Sequence, residues 1–188
     1  MSQDINIEQQ ILLENRAIEL AKKDPQAFRP LYEKYYRRIF LFILHRVESK
    51  EQSADIAAQV FLKAMTKIES YTFKGLPFSS WLFRIATNEC NDFFRKNKRE
   101  RLVVLEDAHV ENLYEEMFGD NFQDELQQKL PHVLEKLKPF ELQLIELRFL
   151  EARPFKEVAE ILNISEVYAK VKTYRVLEKM KKIFVKGS

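Results

Sequence analysis

Polar side chains that could bind nucleic acid lie along one side of residues 78–95. At about 100° per residue, a helix over this segment has an apolar half and a polar half. The polar half carries Arg84, Thr87, Asn88, Asn91, Asp92 and Arg95. A solvated face usually carries Lys and Glu, whereas amide and guanidinium groups make directed hydrogen bonds to bases and phosphates. The pattern therefore predicts a nucleic-acid-binding face.

Aromatic residues border this polar face. Trp81, the single tryptophan, falls at the edge of the polar half. The loop that precedes the helix adds Tyr71, Phe73 and Phe78 to the same edge. Aromatic rings beside a cationic groove are typical of surfaces that stack unpaired nucleotides. The alternative is that Trp81 covers a joint between two helices.

A second candidate DNA-binding surface lies near the C-terminus. Residues 155–162 form a short amphipathic pattern, and Asn163-Ile164-Ser165 predicts a tight turn in which Ser165 caps the next helix. That helix has a predicted buried stripe of Ala169, Thr173, Val176, Leu177, Met180, Ile183 and Phe184. Its opposite face carries Val167, Tyr168, Val171, Lys172, Tyr174, Arg175 and Lys182. Apolar side chains can contact thymine methyl groups, and basic ones phosphates or guanine edges. The alternative is a helical hairpin that only packs.

Enzymatic chemistry has little support in the sequence. His45, His109 and His132 lie in different segments, and Cys90 falls on the apolar half of its helix. The many acidic residues of 106–125 occupy a predicted coil, without a scaffold that could hold a metal ion. We therefore expect neither catalysis nor a bound cofactor or metal.

The composition favours an all-α protein. The 188 residues are 46% hydrophobic, enough for a substantial core, and include only 3 glycines and 6 prolines, fewer than the turns of an all-β chain require. One cysteine permits no internal disulfide, which fits a reducing cytoplasm. The first ten residues show no signal peptide, and no apolar run approaches the roughly 20 residues of a membrane span.

The charges occur in blocks. Residues 71–101 carry a net charge of +4, residues 102–128 carry −8 without any Lys or Arg, and residues 129–188 carry +5. Two basic regions that flank an acidic spacer suggest a polyanion partner, although ordinary solvated charge is the alternative. We expect an N-terminal domain (1–99), a flexible acidic linker (100–123) and a C-terminal domain (124–188).

The apolar periodicity predicts where the helices lie. Eight helices are expected at about 5–22, 25–47, 51–70, 79–98, 124–137, 139–151, 154–162 and 166–184. Ser79 or Ser80 is the expected cap of the fourth helix. Pro131, Pro139 and Pro154 are each expected in a first helical turn, where the missing N–H costs nothing.

Several segments, in order, resemble one protein family. They are KDPQAF (23–28), LYEKYY (31–36), DIAAQVFLK (55–63), FSSWLFRIATN (78–88) with Asp92 and Arg95, LIELRFL (144–150), and the helix-turn-helix (155–177). Together they resemble the extracytoplasmic-function group of bacterial sigma factors, the two-domain members of the sigma-70 family. The match spans roughly residues 20–185. Any one segment is weak, but the ordered set with an acidic spacer is specific.

The resemblance implies roles for individual positions. Asp55, Gln59, Leu62 and Lys63 would contact the clamp helices of the polymerase β′ subunit. The −10 element would be bound and melted by Tyr71, Phe73, Trp81, Arg84, Asn88, Asn91, Asp92 and Arg95. The −35 element would be contacted by Val167, Tyr168, Lys170, Val171, Lys172, Tyr174 and Arg175. The spacer would thread toward the catalytic cleft of the polymerase.

The family also implies partners and a location. They are core RNA polymerase, bound through the β′ clamp helices and the β flap, promoter DNA, and an anti-sigma factor, all met in the cytoplasm without membrane insertion. An alternative function is an autonomous helix-turn-helix regulator whose N-terminal helices dimerise or sense a ligand. A DNA-processing enzyme is a third class, which the absence of a catalytic constellation disfavours.

Overall fold

The computed structural model describes the backbone of residues 2–47, 49–97, 107–119 and 124–186, and the side chains of 12–47, 49–97, 113–119 and 129–185. Within these ranges the regular structure is helical, as predicted. The chain divides into two compact units, residues 1–100 and 101–188. No described helix is both long enough and apolar enough to span a membrane.

Within residues 2–47 and 49–97, the described part of the N-terminal unit, there are four α-helices. They are α1 (Ser2–Ala21), α2 (Arg29–Val47), α3 (Lys50–Lys67) and α4 (Phe78–Asn97), with 3₁₀ turns at Pro25–Phe28 and Ile68–Ser70. Asp24 caps the first 3₁₀ turn by accepting a hydrogen bond from the backbone N–H of Gln26 at 2.9 Å. Ser49 caps α3 in the same way, through the N–H of Gln52 at 3.3 Å. Short polar caps thus set the starts of the first 3₁₀ turn and of α3.

The core of this unit lies where α2, α3 and α4 meet. The fully buried side chains there are Ile39 and Ile43 of α2, Ala57, Val60 and Ala64 of α3, and Leu82, Phe83 and Ala86 of α4. Small residues on α3 let the helices approach closely, and Phe42 meets Phe83 edge to face at 4.7 Å. α1 attaches to α2 through Glu14, which accepts a hydrogen bond from the Tyr35 hydroxyl and pairs with Lys34 at 2.8 Å. The packing fixes α3 and α4 side by side.

The C-terminal unit, as far as the structure describes it (residues 107–119 and 124–186), contains five α-helices. They are α5 (Asp107–Phe118), α6 (Asp124–Glu135), α7 (Pro139–Ile145), α8 (Phe155–Leu162) and α9 (Glu166–Lys186), and a π-helical turn (Glu146–Leu150) continues α7. Its core includes Leu130 and Val133 of α6, Ile145 of α7, and Val176, Met180 and Phe184 of α9. The predicted apolar stripe of α9 is buried as expected, with Ile183 partly so.

The prediction that the acidic spacer is coil is wrong for α5. Leu113, Tyr114 and Met117 share one face of this helix and are buried in the core of the C-terminal unit. The Tyr114 and Phe118 rings lie 6.0 and 5.5 Å from that of Phe184. Burial of these side chains stabilises a helix whose polar face is acidic. Residues 100–106 and 120–123 lie outside the described residues.

Two predicted helix starts also differ. α4 begins at Phe78, directly after Pro77, whose carbonyl accepts the Ser80 N–H at 2.9 Å, so Ser79 and Ser80 are buried inside the first turn rather than caps. Pro139 does begin α7, and Pro154 immediately precedes α8. Pro131, however, lies inside α6. Burial of its neighbours Leu130 and Val133 outweighs the lost backbone hydrogen bond.

Candidate nucleic-acid interfaces

α4 presents most of its predicted polar residues in one row. Arg84, Asn88, Asn91 and Arg95 are spaced three and four residues apart, so they share a face. Asn88, Asn91 and Arg95 are exposed, Arg84 and Asp92 are partly exposed, and Asp92 pairs with Arg95 at 2.9 Å. The exception is Thr87, which is 4% exposed and belongs to the helix interior.

An aromatic cluster supports Trp81 at one end of this row. Its ring lies 5.2 Å from Tyr71 and 5.3 Å from Phe78, which are 5.1 Å from each other. Tyr71 and Phe78 are buried, whereas Trp81 is partly exposed and Phe73 is 48% exposed. The expected four-ring surface is therefore wrong in part: Trp81 and Phe73 expose aromatic surface, whereas Tyr71 and Phe78 are buried and contact Trp81.

The loop of this cluster turns at Gly75. Its φ of +70° lies in the left-handed region that side chains disfavour, and no atom lies within 4 Å of where a Cβ would be. Gly75 is therefore needed for its backbone conformation rather than for space. The turn returns the chain from Tyr71 to Phe78, so that the two rings meet.

Three of the four predicted polymerase-binding residues form an exposed patch on α3. Asp55, Gln59 and Leu62 follow helical spacing, and Leu62 is 50% exposed. Lys63, the fourth, is partly exposed and forms an ion pair with Glu89 of α4 at 2.5 Å. Lys63 therefore also connects the patch on α3 to the helix that carries Asn88.

The turn between α8 and α9 has helix-turn-helix geometry. Asn163 adopts the left-handed conformation (φ 56°, ψ 48°) that ends α8. The Ile164 N–H donates to the Ala159 carbonyl at 3.0 Å, and the Ser165 hydroxyl accepts from the Tyr168 N–H at 3.2 Å. The predicted turn and cap are both present.

The outer face of α9 is apolar and basic, as predicted. Val167, Tyr168, Val171 and Tyr174 are 74%, 49%, 44% and 43% exposed. Lys170 and Arg175 are exposed beside them, and Lys172 is partly exposed. Exposed valines and tyrosines together with basic residues can contact thymine methyl groups and phosphates.

Other helices hold the two exposed tyrosines. Phe140 of α7 lies 6.3 Å from Tyr168, and Phe155 of α8 lies 6.2 Å from Tyr174. The Arg148 guanidinium lies over the Phe155 ring, 5.1 Å from its centroid. Such contacts limit the rotamers available to the tyrosines.

Sequence reasoning missed Glu141 of α7. Its carboxylate lies 2.6 Å from Nζ of Lys179 and 3.5 Å from Nζ of Lys172, and accepts the Lys138 N–H at 3.1 Å. Burial alone would raise the pKa of Glu141, but these hydrogen bonds and both lysine charges hold it below its ordinary value. Only its position three residues after Lys138, at a helix start, hinted at this role.

A buried ion pair, also missed, lies at the start of the helix-turn-helix. Arg153 pairs with Glu157 of α8 at 2.7 Å, and the two residues are 4% and 9% exposed. Arg148 donates to the Arg153 carbonyl at 3.3 Å. These polar groups fix the segment that leads into α8.

The described residues show no constellation for catalysis. Cys90 is buried, and no three His, Cys, Asp or Glu side chains among them are grouped to hold a metal ion. The observed surfaces instead suit directed hydrogen bonding, stacking and phosphate contact.

Comparison with known proteins agrees with this geometry. Residues 31–100 match the family Sigma-70 region 2, and residues 133–182 match Sigma-70, region 4. The first match contains α3 and α4, and the second contains the helix-turn-helix. The two candidate interfaces thus fall in two different regions of one family, in the expected order.

Curated relatives and a solved structure point the same way. The chain is 26% identical to the ECF RNA polymerase sigma factor SigM of Bacillus subtilis, over 84% of this chain and 94% of SigM. It is 27% identical to the ECF RNA polymerase sigma factor SigW of the same organism, over 92% of this chain and 97% of SigW. It is 28% identical to the ECF RNA polymerase sigma factor BldN of Streptomyces coelicolor, over 89% of this chain and 66% of BldN.

CnrH, solved in complex with the cytosolic domain of CnrY, shares the fold, with a TM-score of 0.57 at 18% identity over 92% of this chain and 97% of that one. The matches support a sigma factor over an autonomous regulator or an enzyme. The chain belongs to the extracytoplasmic-function group of the sigma-70 family.

Proposed function

We propose that the chain binds core RNA polymerase, directs it to particular promoters and opens the DNA there, without catalysing a reaction itself. The observation that carries the proposal is the coincidence of two exposed faces with two regions of one family. The α4 face, with Trp81 and Asn88, lies in region 2, and the α9 face, with Tyr168 and Arg175, lies in region 4.

The α4 face would bind the −10 element as a single strand. Trp81 and Phe73 offer exposed aromatic surface on which a base can stack. Asn88, Asn91 and Arg95 offer hydrogen-bond donors and acceptors along the following turns, and Asp92 orients Arg95 through their ion pair. A base that leaves the duplex would thus exchange its stacking in DNA for stacking on protein.

The α9 face would read the −35 element in the major groove. The groove accepts an α-helix, and the N-terminal part of a recognition helix contacts base edges. Val167, Tyr168 and Val171 occupy this part of α9, and Lys170, Lys172 and Arg175 can contact phosphates or guanine. The apolar residues at the start of α9 support base reading there, and the basic residues support neutralisation of phosphate charge along the helix.

The α3 patch would dock on the β′ clamp helices of the polymerase. Leu62 supplies apolar area that core polymerase would cover, and Asp55 and Gln59 supply polar contacts around it. The C-terminal unit would contact the β flap.

We propose domain limits of 1–99 and 124–188 with a connecting segment of 100–123, of which α5 packs on the C-terminal unit.

The proposed activity belongs to the cytoplasm, where RNA polymerase acts. Its control would come from an anti-sigma factor that covers one or both units. CnrH was solved with the cytosolic domain of CnrY bound to it, and we propose a partner of that kind for this chain.

In vitro transcription tests the proposal. The purified chain is added to core polymerase with genomic fragments from its own source, and the start sites of the transcripts are mapped. The expected result is transcripts that require the chain and share two sequence elements upstream of their starts. Transcription that is equal with and without the chain would overturn the proposal.

A further inference from the structure

The first turn of α7 contacts two side chains of the proposed −35 face. The Phe140 ring lies 6.3 Å from the Tyr168 ring, with a 36° angle between their planes. The next residue, Glu141, lies 3.5 Å from Nζ of Lys172. Tyr168 and Lys172 are one helical turn apart, so two neighbouring residues of α7 hold two neighbouring positions on α9.

The carboxylate of Glu141 is itself held in place. Its other oxygen lies 2.6 Å from Nζ of Lys179, which also donates to the Lys136 carbonyl at 3.3 Å. The Lys138 N–H donates to it at 3.1 Å, and the residue is 8% exposed. The Glu141 carboxylate therefore keeps its position when DNA binds, because moving away from its partners would break these hydrogen bonds.

We propose that Phe140 and Glu141 set the promoter specificity of this sigma factor by positioning Tyr168 and Lys172. The proposal rests on the proposed −35 role of α9. An unrestrained lysine has a flexible stem and can reach many phosphates, which gives affinity for any sequence. Contact of Lys172 with a phosphate weakens its ion pair with Glu141. Lys172 therefore makes that contact only where favourable contacts between α9 and the bases offset this cost.

Tyr168 depends on Phe140 in a corresponding way. About half of its side chain is exposed, so its rotamer is set mainly by neighbours on the surface. Ring contact with Phe140 favours one direction of the phenol. A fixed phenol can contact one base pair, whereas a mobile one accepts several.

The test uses the full chain with core polymerase and two promoters, one with its own −35 element and one with that element scrambled. Glu141→Gln keeps the shape and the acceptor for the Lys138 N–H, but removes the charge. We expect transcription from the scrambled promoter to rise, and its log–log salt slope to steepen by about 0.9, the value for one added phosphate contact. Glu135→Gln removes the same charge from an exposed site on α6 and should leave both unchanged.

A second variant, Phe140→Leu, tests the aromatic contact at a partly exposed site. The promoter is changed at each −35 position in turn. The preference for the original base over its replacements should fall about tenfold at one position, which is the cost of one mismatched base pair. The salt slope should be unchanged. Phe140→Tyr, which keeps the ring, should restore the preference. A merely structural role would weaken all promoters equally, and that result would overturn the proposal.

The outcomes separate the two levels of the argument. If the unaltered protein transcribes both promoters equally, α9 does not read the −35 element, and the proposed function fails there. If the unaltered protein, Glu141→Gln and Phe140→Leu all distinguish the native −35 element from its altered forms equally well, α9 reads the element but the positioning role is wrong. Circular dichroism establishes that each variant is folded, and if Glu141→Gln is not, the Phe140→Leu series decides.

Discussion

At the scale of single residues, Trp81 shows how packing can prepare a side chain for function. Two buried rings, Tyr71 and Phe78, contact it, and the indole is partly exposed at the end of the polar row of α4. Such support leaves the indole few conformations to lose when a base stacks on it. Trp81 is therefore suited to hold a strand open rather than only to bind it.

Replacing Trp81 by alanine should impair promoter opening more than polymerase binding. Stacking on an aromatic side chain contributes about 1–3 kcal/mol per base, and that contribution would be lost from the open complex. Permanganate footprints of unpaired thymines measure the opening, and co-elution with core polymerase measures binding. Trp81→Phe keeps an aromatic face and should retain most of the opening. Footprints unchanged by Trp81→Ala would refute the role.

Lys172 and Arg175 carry a second prediction at this scale. Their joint replacement by alanine should weaken −35-dependent transcription and reduce its salt slope by about 1.8, the value for two phosphates. Lys136→Ala with Lys181→Ala removes the same charge elsewhere, and residue 181 is half a turn away from 172 around α9. The assignment is wrong if the two double variants respond alike across a salt titration.

Helical periodicity predicted most of these residues, because a regular helix places side chains by spacing alone. The exposed valines and tyrosines of α9 and its buried stripe agree with the sequence. Tyr71, Phe78 and Thr87 do not, because their burial depends on how the loop folds over α4 and on which neighbour covers each side chain. Glu141 was missed because its partners, Lys172 and Lys179, lie 31 and 38 residues further along the chain. Contacts of this range have no local signal.

At the scale of elements, α5 is the main departure from the sequence-based expectation. Its acidic composition predicted coil, yet three apolar residues on one side are buried in the C-terminal unit. Local charge decides solubility, whereas burial decides whether a marginal helix forms. If the segment threads toward the polymerase cleft, as the family resemblance implies, Leu113, Tyr114 and Met117 must leave this core. Their apolar contacts would oppose that movement.

Tyr114 tests the docking of α5 through the stability of the chain. It is 2% exposed, and replacement by alanine should lower the unfolding free energy of the C-terminal unit by about 3–5 kcal/mol, as for other large aromatic residues. Glu116→Ala changes an exposed residue of the same helix and should cost less than about 1 kcal/mol. Urea unfolding measures both. Equal stability of the two variants would show that α5 does not pack as described.

The same residue predicts a dependence on pH. Burial raises the pKa of Tyr114 from 10.0 to about 12, so folding favours its neutral form. The resulting stability is complete below pH 10 and is lost as the pH rises toward 12, where the unfolded chain has released the proton and the folded chain has not. Tyr114→Phe should remove this part of the decline. A decline of the same size in the phenylalanine variant would contradict the burial.

At the scale of the whole molecule, two helical units carry the proposed recognition faces separately on one chain. The N-terminal unit presents α3 and α4, and the C-terminal unit presents α9. A single helical face with few base and phosphate contacts binds nucleic acid weakly at physiological salt. Joint use on one scaffold would multiply the two weak affinities, because the second contact becomes intramolecular. The account therefore requires core polymerase for selective binding.

The most direct measurement of this claim is promoter binding with and without core polymerase. A labelled fragment that supports transcription is titrated with the purified chain, with core polymerase, and with both, at the same salt concentration. The account predicts weak binding by the chain alone and tight, sequence-selective binding by the two together. Tight selective binding by the chain alone, left unchanged by core polymerase, would contradict it.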